Sequence, residues 1–234
     1  MNSTRLFPDD LSVDGLSLIT GFHGIGSTGF LAINHLIEIL KPKRIGVFET
    51  DHMSPISTIS SGKIITPFEL YVQNNLAFLR VAVPPLQGNE IEFLREVCDI
   101  IISRGFKELI LIGGLDSQLK SDDSNFRYVK TSSYELPESL IDSSPLEDGR
   151  IIIGPVAQML NFMEIRNFPA LGLLPFATSL RADPRAASDA IDIISSLFNI
   201  EVEVSTLIDQ ASKLELDLPS SVDNVKPRPT DIYT

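Results

Sequence analysis

Gly24, Gly26 and Gly29 follow the apolar run Leu16–Thr20 with G-x-G-x-x-G spacing, and Glu49 stands 20 residues beyond Gly29. Glycines placed this way let a pyrophosphate reach backbone N–H groups at a helix N-terminus, and an acid at that distance accepts from a ribose hydroxyl. On spacing alone this is a dinucleotide fingerprint. The same glycines also serve a strand-to-helix turn that needs positive φ and close packing, with no ligand. No hydride-transfer acid or substrate anchor accompanies the loop, and the pattern leaves the two readings open. His23, inside the loop, offers an imidazole either to a polar ligand or merely to the backbone and solvent.

Other patterns that carry chemistry are missing. The chain has no G-x-x-x-x-G-K-[ST] phosphate loop, no G-x-S-x-G elbow and no H-E-x-x-H pair. Asp51 and His52 are adjacent, which points an acid and an imidazole apart and disfavours a triad. One cysteine, Cys98, and three histidines, His23, His35 and His52, are too few soft ligands for a structural zinc site, so no metal is expected.

The elements that hold these residues read as alternating β and α. Leu16–Thr20 leads through the glycine loop into a helix that Pro42 ends, and Arg44–Glu49 follows as a strand, a βαβ unit that favours a parallel pair. Phe68–Gln73 and Leu76–Val83 flank Asn74-Asn75, a pair suited to a tight hairpin. In Glu90–Arg104 the residues Ile91, Leu94, Cys98 and Ile101 share a helical face, which makes Cys98 a core residue. Gly105 stops that helix before the strand Glu108–Ile112. Residues 116–149 turn polar, with Pro137 and Pro145, and read as an insertion or long loop. A helix about Pro155–Arg166, a strand about Ala170–Leu174, a helix capped by Asp183 with Pro184 in its first turn, and a short helix Thr206–Glu215 complete residues 1–218 as one α/β unit. Residues 219–234, with Pro219, Pro227 and Pro229, read as an extended tail.

In that frame GFHGIGSTGFLAINHLI resembles the G-F-x-G-I-G-x-x-G-x-x-A opening of the proteasome assembly chaperone family. FETDHMSPIS, LILIGGLDS, RIIIGPVAQML and the segment bearing Pro175, Asp183, Pro184, Ala186 and Ala187 follow in the family's order, from about Leu16 to Glu215. The resemblance implies a three-layer α/β/α sandwich around a mixed, largely parallel sheet of the phosphorylase/hydrolase-like type. It also implies a non-enzymatic protein without cofactor, in which the glycines are chiefly architecture. The sequence departs from the family at His23, where proline is common, and across Asp116–Gly149.

Ile232-Tyr233-Thr234 is similar to the hydrophobic-Tyr-any motif that proteasome activators and assembly factors insert between α subunits of the core particle. An aliphatic side chain fills a small slot, the tyrosine ring and hydroxyl fill a larger one, and a terminal carboxylate pairs with a lysine. The resemblance therefore implies proteasome α subunits as partners, with Ile232, Tyr233 and Thr234 as the contact. One such tail binds weakly, so a homo-oligomer presenting several is expected.

Charge and hydropathy narrow the remaining partners. The 234 residues carry −12, and because Lys226 and Arg228 balance Asp223 and Asp231, the whole excess belongs to residues 1–218. An acidic body repels a phosphate backbone, so no nucleic-acid partner is expected. No apolar run approaches the roughly 20 residues of a membrane span, and MNSTRLFPDD lacks the pattern of an export signal. The expected location is the cytoplasm.

Overall fold

The computed structural model describes residues 3–216; the tail residues Ile232, Tyr233 and Thr234 lie outside them. In chain order the elements are β1 (Thr4–Phe7), β2 (Ser17–Gly21), α1 (Thr28–Leu40), β3 (Lys43–Thr50), β4 (Thr58–Ser60), β5 (Lys63–Ile65), β6 (Phe68–Gln73), β7 (Leu76–Val81), α2 (Glu90–Ser103), β8 (Glu108–Ile112), β9 (Leu115–Asp116), β10 (Phe126–Lys130), α3 (Gly154–Ile165), β11 (Ala170–Ala177), α4 (Pro184–Phe198) and α5 (Ser205–Leu216). Among them no helix is long and apolar enough to cross a membrane.

A nine-stranded mixed sheet runs β1-β3-β6-β7-β2-β8-β11-β10, with β9 against the end of β11. Its centre, β7-β2-β8-β11, is parallel. Such strands are covered on both faces, and successive residues accordingly feed opposite cores. Leu18, Leu109 and Leu111 face the layer of α2 and α3, while Ile19, Ile110 and Ile112 face that of α1 and α4. The result is the expected α/β/α sandwich.

The order of strands corrects one expectation. β2 and β3 are not a parallel pair: β3 pairs antiparallel with β1 and β6, and the β6–β7 hairpin lies between it and β2. The Asn74-Asn75 turn, with Asn74 at φ 54°, holds that hairpin in tight register from Phe68↔Val81 to Gln73↔Leu76. Its strands take the hydrogen-bonding edge of β2 that β3 would otherwise occupy.

Other differences are smaller. Ile91 is 52% exposed in the first turn of α2, whereas Phe93 and Val97 join Leu94, Cys98 and Ile101 in the core. Residues 116–149 include β10, an edge strand antiparallel to β11, in which Arg127 is buried between Asp122 and Glu147 at 2.8 and 3.1 Å. The Asp183 cap is as expected: its carboxylate accepts from the Ala186 backbone N–H at 3.1 Å, and Pro184 opens α4.

Candidate functional site

Ligands in open α/β sheets gather at the carboxyl ends of the parallel strands. Here the glycine loop occupies that edge, between the ends of β2, β8 and β11, beside a cleft of about 210 Å³ walled by Phe22, Ile25, Gly113, Ile153 and Leu174. Gly26, at φ 62°, turns the chain, and the Asp183 N–H donates to its carbonyl at 2.8 Å. A Cβ on Gly26 would stand 2.8 Å from the Ala177 Cβ and 2.9 Å from that of Asp183. Gly29 lets α1 lie on the sheet: a Cβ there would meet the Ile112 carbonyl oxygen, and the Phe22 nitrogen at 2.8 Å. Of these three glycines, Gly24 is the one that faces open space.

The loop's own hydrogen bonds are inward. The Ser27 N–H donates to the Gly24 carbonyl (2.8 Å), the Phe30 N–H to the Phe22 carbonyl (3.2 Å), and the Thr28 hydroxyl to the Ile25 carbonyl (3.0 Å). Among the described residues, no lysine or arginine lines the cleft. A pyrophosphate would therefore find no lysine or arginine among the described lining residues to neutralise it.

Glu49 is not brought to this loop. Three strand steps separate β3 from β2, about 14 Å across the sheet. Its carboxylate pairs instead with Arg5 on β1 at 2.8 Å. The inserted hairpin thus dismantles the fingerprint that the spacing of Gly24, Gly26, Gly29 and Glu49 spells. His23 lies at the cleft with its ring stacked on Phe30, centroids 3.7 Å apart. Desolvation lowers its pKa, against a hydrogen bond to the Ala82 backbone that works the other way. The imidazole is accordingly a weak cation for any anion at pH 7.

The other chemistry-bearing cluster was not legible in sequence. His52 follows β3, and its Nε2 lies 2.6 Å from the Ser3 hydroxyl, 3.7 Å from Glu96 Oε2 and 4.0 Å from Glu92 Oε2, the last two from α2. Ser3 donates to Glu96 at 2.8 Å, and the Asn89 amide lies 2.7 Å from His52 Nδ1. A serine, a histidine and an acid meet here in the wrong order for a nucleophilic triad, because the carboxylate holds the serine rather than the far imidazole nitrogen. The fold adds two glutamates to His52, donors that lie outside the chain's few Cys and His residues.

The chain matches the PAC2 family over residues 18–220. It belongs to that family. An uncharacterized protein of Methanocaldococcus jannaschii is 25% identical over 201 residues, 85% of this chain and 82% of its own. Proteasome assembly chaperone 2 of Danio rerio is 27% identical over 141 residues, 54% of each chain. Among solved structures, Pyrococcus furiosus PbaA, an archaeal homolog of proteasome-assembly chaperone, superposes with TM-score 0.75 at 21% identity, covering 91% of this chain and 93% of its own. Pyrococcus furiosus PbaB, an archaeal proteasome activator, gives 0.71 at 19%, covering 92% and 97%. At such identities the structural likeness speaks for the PAC2 fold, and the inward-bonded glycine loop is part of this chain's version of it.

Proposed function

We propose that this PAC2-family chain is a non-enzymatic proteasome-associated protein that acts as an assembly factor or regulator of the core particle. What supports the reading most is the family match over residues 18–220, in a family whose relatives include a proteasome assembly chaperone.

The finer proposal is that Ile232-Tyr233-Thr234 docks between α subunits of the core particle, carried on the proline-bearing segment 219–234. At about 3.1 Å per residue an extended segment of this kind reaches tens of Å. Several copies in a homo-oligomer would raise avidity roughly 10²–10⁴-fold over one tail. The acidic body serves as a soluble platform in the cytoplasm, and the element that binds is the neutral tail.

Native mass spectrometry of the full chain, alone and mixed with a proteasome core particle, reports oligomer order and partner together. The expected result is an oligomer that forms a complex with the core and loses it on deletion of Ile232–Thr234. Undiminished binding by the deletion variant overturns the tail mechanism. Failure of the full chain to bind either the core or its α rings overturns the proteasome reading itself.

A further inference from the structure

We propose that His52, Glu92 and Glu96 form a divalent transition-metal site, with Zn²⁺ the best fit, that staples the N-terminal edge of the sheet to α2. Ser3, before β1, supplies a fourth oxygen. The four residues come from three separate segments, and the fold converges them on one point.

The donor atoms are close to the spacing a metal needs. Tetrahedral N and O ligands about 2.0–2.2 Å from zinc stand about 3.3–3.6 Å apart. His52 Nε2 lies 3.7 Å from Glu96 Oε2 and 4.0 Å from Glu92 Oε2. Closing the remaining gap falls to Glu92, whose side chain is 62% exposed and so turns freely, while His52 and Glu96 stay in place at 8% and 10%. Glu92 and Glu96 are one helical turn apart, on the same face of α2. One imidazole and two carboxylates match the charge of a divalent ion and suit zinc better than Mg²⁺ or Ca²⁺, which favour oxygen alone.

The supporting contacts take the form of a metal site after one change, a turn of the Asn89 amide, whose nitrogen lies 2.7 Å from His52 Nδ1. With its amide turned to present oxygen, Asn89 accepts from Nδ1–H and leaves the Nε2 lone pair for the ion, the usual outer partner of a metal-bound histidine. The Ser3 backbone N–H occupies Glu96 Oε1 at 2.9 Å, which leaves Oε2 as the ligand atom. The Ser3 hydroxyl, 2.6 Å from Nε2 and 2.8 Å from Oε2, lies between the two where the ion would sit, near enough to be displaced sideways into a fourth position. The backbone of His52 is itself pinned: its N–H donates to the Thr50 hydroxyl at 3.1 Å, and its carbonyl accepts from Leu86 at 2.8 Å. Among the described residues no lysine or arginine forms an ion pair with Glu92 or Glu96, so a metal would supply the missing positive charge.

The test is calorimetric titration of the full, chelator-stripped chain with Zn²⁺, alongside thermal unfolding with and without the ion. Saturable binding of one Zn²⁺ per chain, a rise in Tm that grows with the ion's concentration, and no competition from Mg²⁺ are expected. Glu92→Gln and His52→Gln should each weaken binding more than tenfold. Glu92 is exposed, so its variant keeps the fold and isolates the ligand effect. Asn89→Ala should weaken binding about 10–100-fold without removing a ligand, and Glu38→Gln on the opposite layer should leave it unchanged. The proposal is overturned if Zn²⁺ does not saturate at one per chain, if Mg²⁺ competes equally, or if Glu92→Gln and His52→Gln bind as the parent chain does.

Discussion

Replacing Gly29 by alanine puts a methyl group against the Ile112 carbonyl oxygen, 2.8 Å from the Phe22 nitrogen and 2.9 Å from the Gly21 Cα. All three are backbone atoms at the ends of β2 and β8, and none can rotate away. Relief requires α1 to lift from the sheet by on the order of 1 Å, loosening Ala32, Ile33 and Leu36, which are buried beneath it. Overpacking of this kind costs about 1–3 kcal/mol, and the loosened side chains add to it. The higher helix propensity of alanine returns up to about 1 kcal/mol. A net loss of about 1–3 kcal/mol follows, which for a chain of this size is a fall in Tm of roughly 2–12 °C. Gly24→Ala is the internal comparison. Its Cβ meets nothing within 4 Å and its φ of −159° suits any residue, so the cost should stay within about 0.5 kcal/mol. Thermal and urea unfolding followed by circular dichroism measure both. If Gly29→Ala melts with the parent chain, or Gly24→Ala is destabilised as much, Gly29 is not the point at which α1 packs on the sheet.

Glu69, buried at 2% exposure, meets Arg80, Arg44 at 3.1 Å and the Tyr71 hydroxyl at 2.6 Å. Burial pushes this carboxyl up, but Tyr71, Arg80, the Thr66 backbone and Arg44 together hold it below its usual range. Its stabilisation is therefore complete above the unfolded carboxyl's pKa and is lost as pH falls through the depressed folded value. Glu69→Gln should cost about 3 kcal/mol at neutral pH and flatten the acid limb of the stability curve below about pH 4, as chemical denaturation across pH would record. Asp189 behaves oppositely: burial, with Asp192 and Asp183 nearby, raises it to about 6. The charged form is the disfavoured one, so Asp189→Asn should stabilise by on the order of 1 kcal/mol at pH 7.5 and not at all below the unfolded carboxyl's pKa, read as a Tm difference at the two pH values. Burial pushes the Cys98 thiol up to about 12, so it should react with a thiol reagent only at the rate of unfolding.

The parts of the site that were legible in the sequence are those governed by near neighbours. The Asp183-Pro184 cap, the Asn74-Asn75 turn and the glycine turn into α1 all act within a few residues, and their chemistry is visible as spacing. The apolar stripe of α2 was legible except at its first turn, where Ile91 lies beyond the buried face. Edge strands were not. β10 buries Arg127 in place of an apolar residue, using Asp122 and Glu147 as counter-charges, so its pattern looks like loop. β1 is only four residues long and alternates burial over too short a span to register.

From sequence alone follow the α/β class, the acidic body, the family resemblance and the local turns, because propensity, charge and hydrophobic period are properties of residues and their near neighbours. Only the tertiary structure decided which strands are adjacent. Pairing β6–β7 against β2 satisfies that strand's backbone groups and leaves β3 farther out, which carries Glu49 away from the glycines it matched in spacing. The same β3, with β1 beside it, carries His52 and Ser3 to the face of α2 where Glu92 and Glu96 stand. Sequence distance could neither keep the first group together nor announce the second, because contacts across a sheet depend on strand order, which no single segment encodes.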